Sequence, residues 1–311
     1  MIKYILKRIL AMIPILLGVS FIVFLILDFA PGDPARQILG FEATEEAVAE
    51  LREEMGLNDP MIVRYCRYVF NAVRGDFGSS YKTGFAVTHQ IGLKIPYTFR
   101  LMIICTIVSL VVAIPLGIIA ALKQNSVFDA LCMGLSLLGV SLPSFWIGLV
   151  LILLFSVKLG WLPASGGESN LSIVLPVITL TLNGLASIAR TTRSAMLEVI
   201  KADYIRTARA KGLSKREIVF KHALPNCLIP ILTVVGIQMC YMISGTVLVE
   251  SIFAWPGMGR LLVSAVTDRD IPLTMGCILM FAICFSTINL CVDLMYAVVD
   301  PRIKAQYKKS R

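Results

Sequence analysis

Leu101–Leu122 reads LMIICTIVSLVVAIPLGIIAAL, 22 residues without a charged side chain. A helix needs about 20 such residues to cross roughly 30 Å of hydrocarbon, where every backbone group must be satisfied without water. The stretch therefore reads as a membrane span. Pro115 inside it is tolerable where neighbouring helices support the backbone. Five more apolar runs lie on either side: Ile9–Ala30, interrupted by Asp28; Ala130–Val157, containing Pro143; Leu171–Ala189; Ala223–Val249; and Ile271–Val292, continuing past Asp293 to Val299. The expected fold is all-α transmembrane, a six-span helical bundle. With 57% hydrophobic and 16% charged residues, the chain departs from soluble composition, where about 25% are charged.

Charge sets the expected orientation. Lys3, Lys7 and Arg8 precede the first span, nine basic residues lie from Arg190 to Lys221, and five follow Pro301. The short segments on the opposite side hold Lys158, Arg260 and Arg269. Basic loops stay cytoplasmic, so both termini are expected inside the cytoplasmic membrane. The same rule accounts for the net charge of +9, and no nucleic-acid recognition motif accompanies it. The N-terminal stretch exceeds the roughly 7 to 15 apolar residues of a signal peptide, and Pro31-Gly-Asp-Pro34 replaces small cleavage-site residues. It reads as a retained anchor.

The division expected along the chain is an anchor span and extracytoplasmic helical segment at 1–94, a transmembrane core of spans two to six at 95–300, and a basic cytoplasmic tail at 301–311. In the outer segment Thr44 caps a helix that ends near Gly56, and Asp59-Pro60 opens another that ends near Gly75. Ser141-Leu-Pro-Ser144 invites a kink in the third span. There is no solenoid-period repeat or low-complexity tract.

The loop at 190–223 is too long for a turn. Ala202–Lys211 is rich in helix formers and ends at Gly212, suited to a left-handed position after a helix. Ser214-Lys-Arg-Glu217 forms a capping box, giving helix, glycine hinge and second helix before Pro225. Such an elbow can pass force from a soluble motor into two spans. It can equally lie on anionic lipid as a basic interfacial helix.

Arg206-Thr-Ala-Arg-Ala-Lys-Gly212, with Leu224-Pro225 following, resembles the EAA loop of ABC importer permeases. Arg206, Thr207 and Ala208 fall at the Glu-Ala-Ala triplet, and His222 stands at the usual Ile. Both departures are similar to the dipeptide/oligopeptide/nickel branch of the binding-protein-dependent permeases, as the first permease of the pair. Further matching motifs are Ala189-Arg-Thr-Thr-Arg-Ser194, Met196-Leu-Glu-Val199, Asp203-Tyr204, Glu250-Ser-Ile-Phe253, Trp255-Pro-Gly257, Gly259-Arg260, Arg269-Asp270 and Asp300-Pro-Arg302. The resemblance implies a type-1 importer permease that docks a separate ATPase through Asp203, Tyr204, Arg206, Thr207, Ala208, Arg209, Ala210, Lys211, Gly212 and Leu213, with His222, Leu224 and Pro225 completing the loop. Ala208 and Ala210 are small enough for close docking. It also implies a second homologous permease, one or two ATP-binding cassette subunits, an extracytoplasmic solute-binding protein and surrounding lipid. Di- or oligopeptides are the favoured cargo, with nickel, glutathione or other chelates as alternatives.

No Gly-x-x-x-x-Gly-Lys-Ser/Thr phosphate loop occurs, so Mg-ATP belongs to the separate ATPase and no cofactor is expected here. No nucleophile elbow or His-Glu-x-x-His motif supports an enzyme. Eight cysteines form no Cys-x-x-Cys pair; Cys277, Cys284 and Cys291 share a helix face and read as packing rather than a soft-metal relay. The rival class is a stand-alone channel or ion-coupled carrier. Against it, spans two to five as bounded above hold no ionisable residue.

Overall fold

The computed structural model describes residues 2–29, 32–40, 42–167 and 169–299. The helices are α1 Ile2–Asp28, α2 Pro34–Leu39, α3 Glu45–Glu54, α4 Met61–Val73, α5 Val87–Leu122, α6 Val127–Ser141, α7 Ser144–Leu151, α8 Val174–Ile200, α9 Asp203–Ala210, α10 Lys215–Glu217, α11 Leu224–Ile252, α12 Met258–Thr267 and α13 Ile271–Val299. Wider π turns continue α7 over Ile152–Lys158 and join α10 to α11 over Ile218–Ala223. No strand occurs among the described residues. Five helical rods are long and apolar enough to span a membrane, and the bent α6–α7 pair makes the sixth. The basic tail 301–311 and Asp300-Pro-Arg302 lie outside the described residues.

The chain divides into two compact units, 1–99 with 256–286, and 100–255 with the residues from 287 onward. In the first, both sequence-predicted helices of the long segment are present, with Thr44 Oγ1 accepting from Ala47 N at 3.3 Å. Left-handed Gly56 and Gly75 follow their ends, at φ +65° and +86°. Asp33 and Pro34 open α2: the Asp33 carboxylate accepts from Ala35 N at 3.1 Å, and Pro34 occupies the first turn, where no N–H is needed. Tyr65 of α4 donates to the Leu17 carbonyl at 2.9 Å and sets its ring edge-on to Phe21. Arg64 pairs with Asp28, which neutralises the charge that closes the first apolar run. A separate core joins Val87 and Ile91 to Met258, Ala265, Leu273 and Cys277. Buried Asp270 accepts from Ser80 Oγ and from Leu273 N, capping α13. Burial, with Asp270 nearby, pushes the Tyr81 phenol up to about 12.

In the second unit α8 is the central helix. It packs on α6, α7 and α11. The third apolar run is no straight rod: α6 and α7 meet at 102° across Leu142-Pro143. Proline supplies no N–H to continue α6. Beyond the bend, Gly148 admits the Phe253 ring to 3.2 Å from where a Cβ would sit.

Several helices outrun their apolar stretches. α5 starts at Val87 and α8 runs on to Ile200, so the residues from Arg190 to Ile200 belong to a span helix rather than to a separate loop helix. α11 continues past Val249 and includes Glu250, whose side chain is completely buried. The fifth span helix thus carries an ionisable group at its end, which the sequence boundary at Val249 leaves out.

Candidate functional site

What remains of the predicted loop is a compact elbow. α8 ends at Lys201, Ala202 turns the backbone into an extended conformation, and α9 runs over two turns. It closes in a Schellman motif: Leu213 N donates to Ala208 O at 3.4 Å and Gly212 N to Arg209 O at 3.0 Å. Gly212 has φ +80°, the left-handed conformation this closure requires. The capping box forms as read from the sequence. Ser214 Oγ accepts from Glu217 N at 3.3 Å, and Glu217 Oε2 accepts from Ser214 N at 3.2 Å.

The second arm of the elbow is not a free-standing helix. α10 passes through the π segment into α11, so the capping box begins the fifth span helix. Within that segment Leu224 N donates to Val219 O, five residues back, and Pro225 has no N–H to offer Lys221. The wider turn accommodates the missing donor. Asn226 Nδ2 adds a hydrogen bond to His222 O at 2.7 Å.

α9 is two-sided. Ile205 and Ala208, at 0% and 6% exposure, enter a core with Ala195 and Met196 of α8, Ile118 of α5, and Ile218, Val219 and Ala223 of the π segment. Asp203, Tyr204, Arg206, Thr207, Arg209, Ala210, Lys211 and Gly212 are exposed, the Asp203 side chain at 97%. Leu213, His222 and Leu224 are half-buried; Pro225 is exposed. Desolvation where its ring meets the protein raises the Tyr204 phenol above its ordinary value. The expectation that Ala208 offers a close-docking surface is therefore corrected: its methyl faces the chain's own core, and Ala210 carries the small outward surface.

Ile205 went unremarked in the sequence, although Ile205 and Ala208 stand at the i, i+3 spacing of a buried face. A second omission is an ion pair just before the elbow. Arg193 of α8 grips Asp129 of α6 with two hydrogen bonds, Nε to Oδ1 at 2.5 Å and Nη2 to Oδ2 at 2.6 Å. Charges flanking two apolar runs were the available signal. Among the described residues no group of three His, Cys, Asp or Glu side chains is placed to hold a metal. Cys277 is buried, Cys284 half-buried and Cys291 exposed.

Five apolar rods and one bent pair long enough to span a membrane, with a basic elbow between the fourth and fifth spans, are the features of a membrane permease of an ATP-driven importer. The chain belongs to the family of binding-protein-dependent transport system inner membrane components, whose model matches residues 113–305. The N-terminal model for the membrane component of such systems matches residues 1–102. The chain is 41% identical to the dipeptide transport system permease protein DppB of Alkalihalophilus pseudofirmus, over 98% of this chain and 100% of the relative. It is also 41% identical to the glutathione transport system permease protein GsiC of Escherichia coli K12, over 98% and 99%. An inward-facing structure of the MetNI methionine ABC transporter matches 68% of this chain and 96% of its own with a TM-score of 0.56; at 16% identity this likeness concerns the fold. The protein is a multi-pass inner membrane protein of a transport family, not of an enzyme class.

Proposed function

We propose that the chain forms half of a translocation pathway with a second homologous permease, takes solute from an extracytoplasmic binding protein and releases it into the cytoplasm. Both termini are cytoplasmic, the 1–94 segment is an anchor with an extracytoplasmic helical part, 95–300 is the permease core, and 301–311 is a basic cytoplasmic tail. ATP is bound and hydrolysed by one or two separate cassette subunits. Their docking element is the outward face of α9: Asp203, Tyr204, Arg206, Thr207, Arg209, Ala210, Lys211 and Gly212. Ala208, Leu213, His222, Leu224 and Pro225 hold that face in place.

The observation that carries this reading is the two-sidedness of α9. Its inner residues, Ile205 and Ala208, lock into a core shared by α5, α8 and the start of the fifth span helix, while the outer face is exposed and basic. Force on the outer face therefore moves the ends of two spans, whereas a helix that only rests on lipid needs no such lock. Small peptides are the cargo this reading favours, since the named transport systems of both relatives carry peptides.

The test replaces Ala210 and Arg209 by Glu. The reading expects normal membrane insertion with loss of ATPase copurification and of uptake; unchanged copurification would overturn it.

A further inference from the structure

We infer that Asp129 and Arg193 form a clasp through which the broken third span follows α8 when α9 is moved, so that both act as positioning residues in transport. The inference rests on the reading that α9 receives the ATPase stroke. The pair is largely covered, with the Asp129 side chain 5% exposed and that of Arg193 22%. A guanidinium fork on a carboxylate fixes direction as well as distance, which a point charge would not.

Three features make this pair a mechanical link rather than one contact among many. First, α6 packs chiefly on α8, where a Cβ on Gly139 would also stand 3.5 Å from Ala186; its two buried residues are Asp129 and Ser136, while Leu131, Leu135 and Leu138 are exposed. Ser136 spends its hydroxyl on Cys132 O, inside its own helix. Second, Asp129 also organises the turn before α6. Its Oδ2 accepts from Asn125 N at 3.0 Å, where Asn125 is left-handed at φ +63°, and its own N–H donates to Ser126 Oγ at 3.2 Å. Third, α8 is braced on another side at the same level, where Gly117 of α5 meets the Ala189 carbonyl and Thr192. From Arg193 the helix runs unbroken to Ile200, and Lys201 with the extended Ala202 joins it directly to α9. Displacing α9 thus levers α8, and the clasp hands the movement to α6 below the 102° bend.

The experiment places nitroxides at exposed Val127 and Lys201 in the complete importer, in a background without native cysteines, and measures their separation by pulsed EPR with and without ATP and vanadate. A clasp holds this distance constant to within about 2 Å between states, the scale of helix shifts within one packed body. A change of about 5 Å, one helical turn, in the native pair overturns the inference. In Asp129→Asn the separation should broaden or become state-dependent, and transport per ATP hydrolysed should fall about tenfold, in the range reached by mutations on coupling elements. An Asp129→Asn distribution identical to native in both states would also overturn it. Arg193→Lys, which keeps the charge and loses the fork, serves where Asp129→Asn does not assemble. ATPase copurification monitors the docking reading separately: its retention with a failed clasp removes this inference alone.

Discussion

Gly117 and Ala189 bring α5 and α8 into backbone contact: a methyl on Gly117 would stand 2.6 Å from the Ala189 carbonyl oxygen and as close to Thr192 Cβ. Neither neighbour is the far end of a flexible chain. Gly117→Ala therefore forces the helices apart and should cost about 1–3 kcal/mol, as overpacking does. Thermal unfolding of the purified protein in detergent measures it. Gly92, on the same helix with nothing within 4 Å of its missing Cβ, is the control, and Gly92→Ala should be neutral or stabilising.

Ala208 and Ala210 differ by two residues and by which way they face. Ala208→Glu puts an unpaired carboxylate into the core around Met196 and Ile218, at a cost of several kcal/mol. The expected outcome is loss of folded protein. Ala210→Glu leaves yield and melting temperature unchanged and weakens ATPase copurification. Equal loss of yield in both variants would contradict the assignment of faces.

Gly212 has φ +80° and nothing within 4 Å of its missing Cβ, so any cost of substitution there is conformational rather than steric crowding. Gly212→Val should lose about 1–2 kcal/mol of elbow stability, and Gly212→Asn less, because Asn enters the left-handed region more readily. ATP-driven uptake should rank Gly, Asn, Val in descending order. A Val variant as active as native would show that the turn is not needed.

A Cβ on Gly236 would meet the Val292 side chain at 2.6 Å, a crowding between α11 and α13 that a smaller residue relieves. Gly236→Ala should lower the melting temperature. Adding Val292→Ala should recover most of that loss, a coupling that independent sites would not display. Additivity within about 0.5 kcal/mol would contradict the contact.

Much of this architecture is legible in the chain because its signals are local. Apolar length marks the spans, Thr44 and Ser214-Glu217 mark helix starts, and Gly212 marks the end of α9 without knowledge of the fold. Pro143 announces a break in the third span. The 102° angle depends on contacts remote in sequence, such as Phe253 against Gly148, which no local pattern encodes. Helix ends beyond the apolar runs are hidden for a different reason: His89, Lys94 and Arg100 interrupt hydropathy but not backbone geometry, so α5 begins at Val87. Glu250 is missed in the same way, as a charge that closes a run without closing its helix. The elbow's residues are recognisable, but a small side chain such as Ala208 suits docking or packing equally well, and only the surrounding core decides between them.

Under the proposed function, a separate ATPase meets this permease at the outward face of α9. A photo-reactive amino acid incorporated at residue 210 in the working importer tests it most directly. Illumination should give a covalent adduct with the ATPase subunit, absent when the same group is placed at Val127. A transport-competent importer that cross-links from residue 210 only to lipid would contradict it.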